Sequence, residues 1–258
     1  MFTEARAAWL YENYLWLEAN LPKRTDGSSA QLILPLPEFY PMRNTMDHAY
    51  AHSVFDATRG FMGLLEWPCM LIPQTDEERN FAAAAMAAGG IIGEMPTKDA
   101  AGTFKNGDQV EITYSPSLLR EPVGLVSTLA HELCHYLLAA VKSEPPCGWP
   151  EHEPLTDLAA VHEGFGVFLA NSAFNFSQWS DSQQSGWQWS KRGYLNEAEL
   201  GFALGIFVVR SKIAPDIAGR LLKPNPAAVY WDSLDYIADL EQQRPQDGAW
   251  TSAKHIKF

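Results

Sequence analysis

The sequence predicts an α+β fold, a small sheet set among a larger number of helices, and three observations carry that expectation. Asn106-Gly107, a strong short hairpin signal, separates Gly102–Lys105 from Gln109–Tyr114, where Val110, Ile112 and Tyr114 alternate with Gln109, Glu111 and Thr113. Apolar residues at helical spacing recur through most of the rest of the chain, most clearly from Pro122 to Ala140. No internal repeat or low-complexity linker divides the 258 residues, so one domain spanning 1–258 with a sizeable core is the simplest organisation.

Taken in order, residues 5–20 read as a helix rich in aromatics (Trp9, Tyr11, Tyr14, Trp16). Residues 23–40 read as a loop holding one extended apolar piece, Leu32-Ile33-Leu34. A long helix over 45–65 places Tyr50, Val54, Phe55, Phe61 and Leu64 on its apolar side. Residues 69–72 suit a short strand, and Thr75 with Glu78 forms a capping-box signal for a helix through the alanine run to Ala88. The hairpin follows. Beyond it come the helix from Pro122, a helix from Glu153, a tryptophan-rich polar stretch over 175–194 that reads as a loop or irregular lobe, and helices over 196–210, 213–222 and 226–240.

Composition excludes several classes of function. With 47% hydrophobic and 12% aromatic residues the chain is not disordered. A net charge of −12 argues against nucleic acid or an anionic membrane surface as partner. Cys69, Cys134 and Cys147 are odd in number and unpatterned, which suits a reducing compartment. The N-terminal apolar stretch is broken by Glu12, Asn13 and Glu18 and is no signal peptide, so a cytoplasmic protein is expected.

The most informative motif is His131-Glu132-Leu133-Cys134-His135. In a helix, residues four apart lie one above the other, so both imidazoles can face one ion. Glu132 is rotated by one residue's angle, which puts its carboxylate beside a metal, where a general base for a metal-activated water belongs. The helix's apolar stripe (Leu125, Val126, Leu129, Ala130, Leu133, Leu137) places the motif in a buried element. Cys134 falls on the flank between metal face and stripe, as a packed thiol does. A second spaced pair, His48 and His52, has no following glutamate and no local third ligand, so hydrogen bonding or exposure is expected there.

Two histidines leave a catalytic zinc one protein ligand short. Glu153 and Asp157 share one face of the next helix, where Pro154 suits a first-turn position. Glu153 as third ligand and Asp157 as acceptor for the outer nitrogen of a ligating histidine would meet both needs. In this pairing the chain resembles the gluzincin metallopeptidases, the thermolysin-like and minigluzincin group. Their signature is His-Glu-x-x-His followed by a helix bearing Glu-x-x-x-Asp. The resemblance runs from His131 to about Ser172, and it departs from the better-known members in having His152, not Asn, before Glu153. Asp157 as direct ligand, and more remotely His152 or His162, remain alternatives.

The resemblance implies a zincin-like fold. Residues 1–142 would form an upper part with the small twisted sheet and active-site helix, and 143–258 a mostly helical lower part. It implies Zn²⁺ on His131, His135 and Glu153, Glu132 as general base, and hydrolysis of a peptide or protein substrate. It also implies a downstream oxyanion donor, for which Tyr194 is the first candidate and Arg192 the second. The strand over 109–114 would rim the cleft as an edge that pairs with substrate, unless it is paired on both sides. The alternative function is a catalytically silent or regulatory protein in which zinc, closed off by a fourth protein ligand, supports a binding module.

Overall fold

The computed structural model describes residues 2–25, 27–40, 45–75, 102–105, 109–180 and 194–243, the side chains of 174–180 excepted. The fold is α+β and dominated by helices. Helix α1 (Glu4–Asn20) begins at Thr3, whose hydroxyl accepts from the Arg6 amide. Helix α2 (His48–Phe61) is shorter than its sequence pattern suggests, because Asp47 caps it by accepting from the Tyr50 amide. The expected helix over 75–88, the Asn106-Gly107 turn and Arg192 lie outside the described residues.

Strands β1 (Cys69–Pro73), β2 (Gly102–Lys105) and β3 (Val110–Tyr114) form one sheet in the order β1-β3-β2. The hairpin pairing is present, with Gly102 opposite Tyr114 and Lys105 opposite Glu111. The edge assignment needs correcting. β3 also pairs with β1 in parallel, Cys69 opposite Val110 and Pro73 opposite Tyr114, and so is the central strand. Its burial agrees: Ile112, Thr113 and Tyr114 are all buried, as befits a strand covered on both edges. Among the described strands β2 lies at the sheet edge, with Gly102 against Thr128 and Glu132 of the next helix.

That helix, α3 (Pro122–Ala139), starts with proline at a position whose N–H needs no partner and is buried on nearly every side from Gly124 to Cys134. Helix α4 (His152–Ala160) follows after a positive φ at Gly148 and a 3-10 turn at Trp149–Glu151. The expected continuous helix breaks at a π-turn, Val161–Phe165. Gly164 there has φ +100°, and a Cβ on it would stand 1.9 Å from the Gln31 carbonyl oxygen. Its own carbonyl accepts from the Ile33 amide, which is why Leu32-Ile33-Leu34 is buried without belonging to the sheet. Helix α5 (Gly166–Ser180) carries the chain further than expected, taking in the first part of the 175–194 stretch. Helix α6 (Glu197–Arg210) opens on a full capping box between Asn196 and Glu199. Residues 213–222 yield only the short α7 (Pro215–Gly219), and α8 (Pro224–Gln243) closes the described chain.

The buried apolar residues form one cluster reaching from Ala7 to Leu240. α1 lies among the C-terminal helices although it is first in sequence: Arg6 pairs with Glu199, and Arg210 with Glu18 and Glu241. Among the described residues no helix is long and apolar enough to cross a membrane.

Candidate metal centre

α3 and α4 pack together and bring three ligand atoms to one point. The Nε2 atoms of His131 and His135 are 3.1 Å apart, and Glu153 Oε2 lies 3.3 Å from the first and 3.7 Å from the second. A tetrahedral zinc with bonds of about 2.0–2.1 Å has corners about 3.3–3.4 Å apart, so these three edges straddle that value. Among the described residues this is the group of three able to hold an ion.

The hydrogen bonds behind the imidazoles decide which nitrogens face the centre. His131 Nδ1 lies 2.8 Å from Asp157 Oδ1, a carboxylate that can only accept, so Nδ1 carries the proton. The Thr156 hydroxyl donates its one proton to the His152 carbonyl at 2.7 Å. Its oxygen is then an acceptor for His135 Nδ1 at 3.3 Å, which fixes the second tautomer in the same sense. Two imidazole nitrogens and a carboxylate oxygen thus meet at a point where one metal cation could be held by all three. Without one, the buried Glu153 Oε2 has among the described residues no hydrogen-bond partner beyond the His131 Nε2 contact at 3.3 Å, which falls short of hydrogen-bond geometry. A proton on His131 Nε2 can be aimed at one neighbour only, and leaves the others facing each other.

In the metal-free site the electrostatics place a positive charge among these groups as a proton on His131, which a bound cation would displace. Burial opposes charge on His131, but Asp157 and Glu153 outweigh it and hold its pKa well above the usual value. Burial, with the His131 charge beside it, pushes His135 down to about 3, so it is a neutral donor. Burial works against the Glu153 carboxylate too, yet the surrounding imidazoles hold it at about 2. Burial drives the Glu132 carboxyl up to about 7, opposed by His131 and helped by Glu153 and Asp157; a cation in the site would draw it back down.

The alternatives separate on this geometry. Asp157 is occupied on both oxygens, Oδ1 by His131 and Oδ2 by the Leu195 amide at 2.9 Å, and so stands behind the His131 ring, outside the converging group. His152, with 51% of its side chain exposed against 21% for Glu153, places Nε2 3.0 Å from Glu153 Oε1 and leaves Oε2 to the centre. His162 pairs with Glu163 and packs on Tyr14, a structural role. Cys134 is fully buried and is not in the group whose ligand atoms converge, as expected of a packed thiol. His48 meets the Tyr114 hydroxyl and His52 meets Asp56, so the second histidine pair is hydrogen-bonded. Tyr194 is brought to the site, its ring 5.5 Å from that of His131.

Three contributors were not foreseen. Thr156 orients His135; the signal was available, since each ligating histidine needs its own outer acceptor and Asp157 could serve only one. Gly102 of β2 lies so close to α3 that a Cβ on it would stand 3.0 Å from Glu132 Cγ. Phe104, two residues on, stacks on the His135 ring at 6.1 Å. The last two come from the approach of β2 to α3, a tertiary event with no local sequence signal. Compared with protein-family models, with curated proteins and with solved structures, the chain matches none.

Proposed function

We propose that this chain is a zinc-dependent metallopeptidase of gluzincin type with a zincin-like fold, hydrolysing a peptide or protein substrate in the cytoplasm. One observation carries the proposal. Three atoms able to ligate a metal converge at tetrahedral spacing, and among the described residues the buried Glu153 Oε2 has no hydrogen-bond partner outside this group. His131, His135 and Glu153 would hold the ion. When bound, zinc supplies Lewis acidity to a water molecule and to the carbonyl oxygen of the scissile bond.

The remaining steps belong to side chains of this chain. Glu132, one residue from the first ligand, takes the proton of the attacking water and hands it to the leaving amine. Burial raises this carboxyl and a bound cation would lower it, and between those opposing influences a carboxylate can accept the proton from water and return it to the amine. Asp157 and Thr156 keep the two imidazoles in the tautomer that ligates. Tyr194, on the His131 side, is the donor proposed for the developing oxyanion. In this proposal β2, which among the described strands lies at the sheet edge next to α3, takes the substrate-pairing role that the sequence suggested for β3.

The test separates ligation from catalysis. Purified protein is expected to bind one zinc per chain, and His131→Ala or His135→Ala to abolish it. Glu132→Gln keeps the shape and removes the base, so zinc is retained while hydrolysis of a peptide library falls by about a hundredfold or more. Folded wild-type protein that binds no zinc overturns the metal site. Full turnover in Glu132→Gln overturns the mechanism. Zinc binding with no turnover in wild-type protein supports the silent or regulatory alternative instead.

A further inference from the structure

Asp157 is buried and uses its two oxygens in different directions. Oδ1 accepts from His131 Nδ1 at 2.8 Å, and Oδ2 accepts from the Leu195 backbone N–H at 2.9 Å. The first bond lies within the α3–α4 pair. The second crosses to a segment 38 residues further along the chain. Leu195 is buried and follows Tyr194 directly, and the Tyr194 ring rests 5.5 Å from the His131 ring.

On its other side this segment is fixed by the α6 capping box. Asn196 Oδ1 accepts from the amides of Ala198 and Glu199, and Glu199 Oε2 accepts from the Asn196 amide. The box sets how the chain enters α6. It does not reach back to the peptide between Tyr194 and Leu195. The Leu195 N–H to Asp157 Oδ2 hydrogen bond ties that peptide directly to the helix pair.

We infer that Asp157 is a positioning residue for Tyr194 as well as for His131. One carboxylate sets the orientation of a metal ligand with one oxygen and the register of the tyrosine beside it with the other. The functional part of this inference rests on the metallopeptidase reading above; the geometric part does not. A carboxylate is the side chain suited to the task, because both of its oxygens only accept while both partners only donate. An amide in its place can serve one donor and must turn an NH₂ towards the other. Asn at this position is therefore no conservative change. A ligand and an oxyanion donor tied to the same rigid group keep their relative placement, and a displacement of about 1 Å at such a site can cost about a hundredfold in rate.

The experiment follows Tyr194 directly in full-length protein labelled with 3-fluorotyrosine, the Tyr194 fluorine signal being assigned by its loss in Tyr194→Phe. Spectra are taken zinc-free and zinc-saturated, with zinc affinity measured by chelator competition. In Asp157→Ala and Asp157→Asn the Tyr194 signal is expected to move while the other tyrosines stay, and zinc affinity to fall by about ten- to a hundredfold. The second perturbation leaves Asp157 alone: replacing the Leu195 amide by an ester removes only the N–H. It is expected to move the Tyr194 signal equally while changing zinc affinity by less than about threefold, because the bond to His131 is intact. A Tyr194 signal unmoved in the ester protein overturns the inference, even if Asp157→Ala fails to fold. Failure of wild-type protein to bind zinc overturns the metal reading instead, and the zinc-free spectra still decide whether Asp157 positions Tyr194.

Discussion

Gly102→Ala is the sharpest perturbation of how the sheet meets the proposed catalytic helix. A Cβ at Gly102 would lie 2.5 Å from the Thr113 carbonyl oxygen, 2.7 Å from Thr128 Cγ2 and 3.0 Å from Glu132 Cγ. Non-bonded carbon atoms settle at about 3.5–4.0 Å, so the added methyl is roughly 0.5–1 Å too close to two side chains of α3. The carbonyl belongs to β3 and cannot rotate away, which forces β2 to lift from both neighbours. Gly102 is not among the glycines with positive φ, so alanine brings no backbone strain and the contacts alone are tested.

Overpacking of this kind costs about 1–3 kcal/mol. Loss of the glycine's freedom in the unfolded chain returns about 0.4–1 kcal/mol. The net expectation is a loss of about 1–2 kcal/mol, read by urea unfolding of metal-free protein. Zinc affinity is expected to hold, because the contacted atoms belong to no ligand. Turnover is expected to fall by about ten- to a hundredfold, since the group displaced is the proposed base. Thr128→Ser, by removing the methyl at 2.7 Å, should recover part of the stability in the double variant but not all, the Thr113 oxygen remaining. A Gly102→Ala protein as stable as wild type refutes the close approach of β2 to α3. Reduced stability with unchanged turnover refutes only the link to Glu132.

Further outcomes are expected elsewhere. Glu153→Ala should abolish tight zinc binding, whereas Asp157→Ala should weaken it by about ten- to a hundredfold; the reverse order in a chelator titration would make Asp157 the ligand. Thr156→Val keeps the packing volume but removes the acceptor of His135 Nδ1, and should weaken zinc by about tenfold or more with the fold intact by circular dichroism. Glu163, buried between Arg24 and His162, has a pKa below its ordinary value because those partners outweigh burial. A depressed carboxylate contributes stability above its unfolded pKa of about 4.3 and loses it as the pH falls through its folded value. Glu163→Gln should therefore cost about 3–5 kcal/mol at pH 7 and progressively less below about pH 4; a difference in urea stability independent of pH would refute the pairing.

The proposed ligands were legible in the sequence and their surroundings much less so, and the reason is range. His131, Glu132 and His135 are related by helical geometry alone, so a spacing of four is already a spatial statement. Glu153 and Asp157 follow by the same rule on α4, and the hairpin of β2 with β3 is equally local. The central position of β3 is not local: its parallel partner β1 is separated from it by the length of the chain between Pro73 and Val110, and nothing in either strand names the other. The break at Gly164 depends on Gln31 standing against it, and the approach of Gly102 to Glu132 on two elements meeting face to face. Yet one distant link was open to inference. An aspartate placed behind a histidine of a buried helix is itself expected to be buried, and a buried carboxylate needs donors for both oxygens. Once Oδ1 is assigned to His131, a second donor for Oδ2 is required, and a chain segment entering a helix offers backbone N–H groups that need partners. Leu195 N–H is the one that fills the role, and with it Tyr194 comes to rest beside His131.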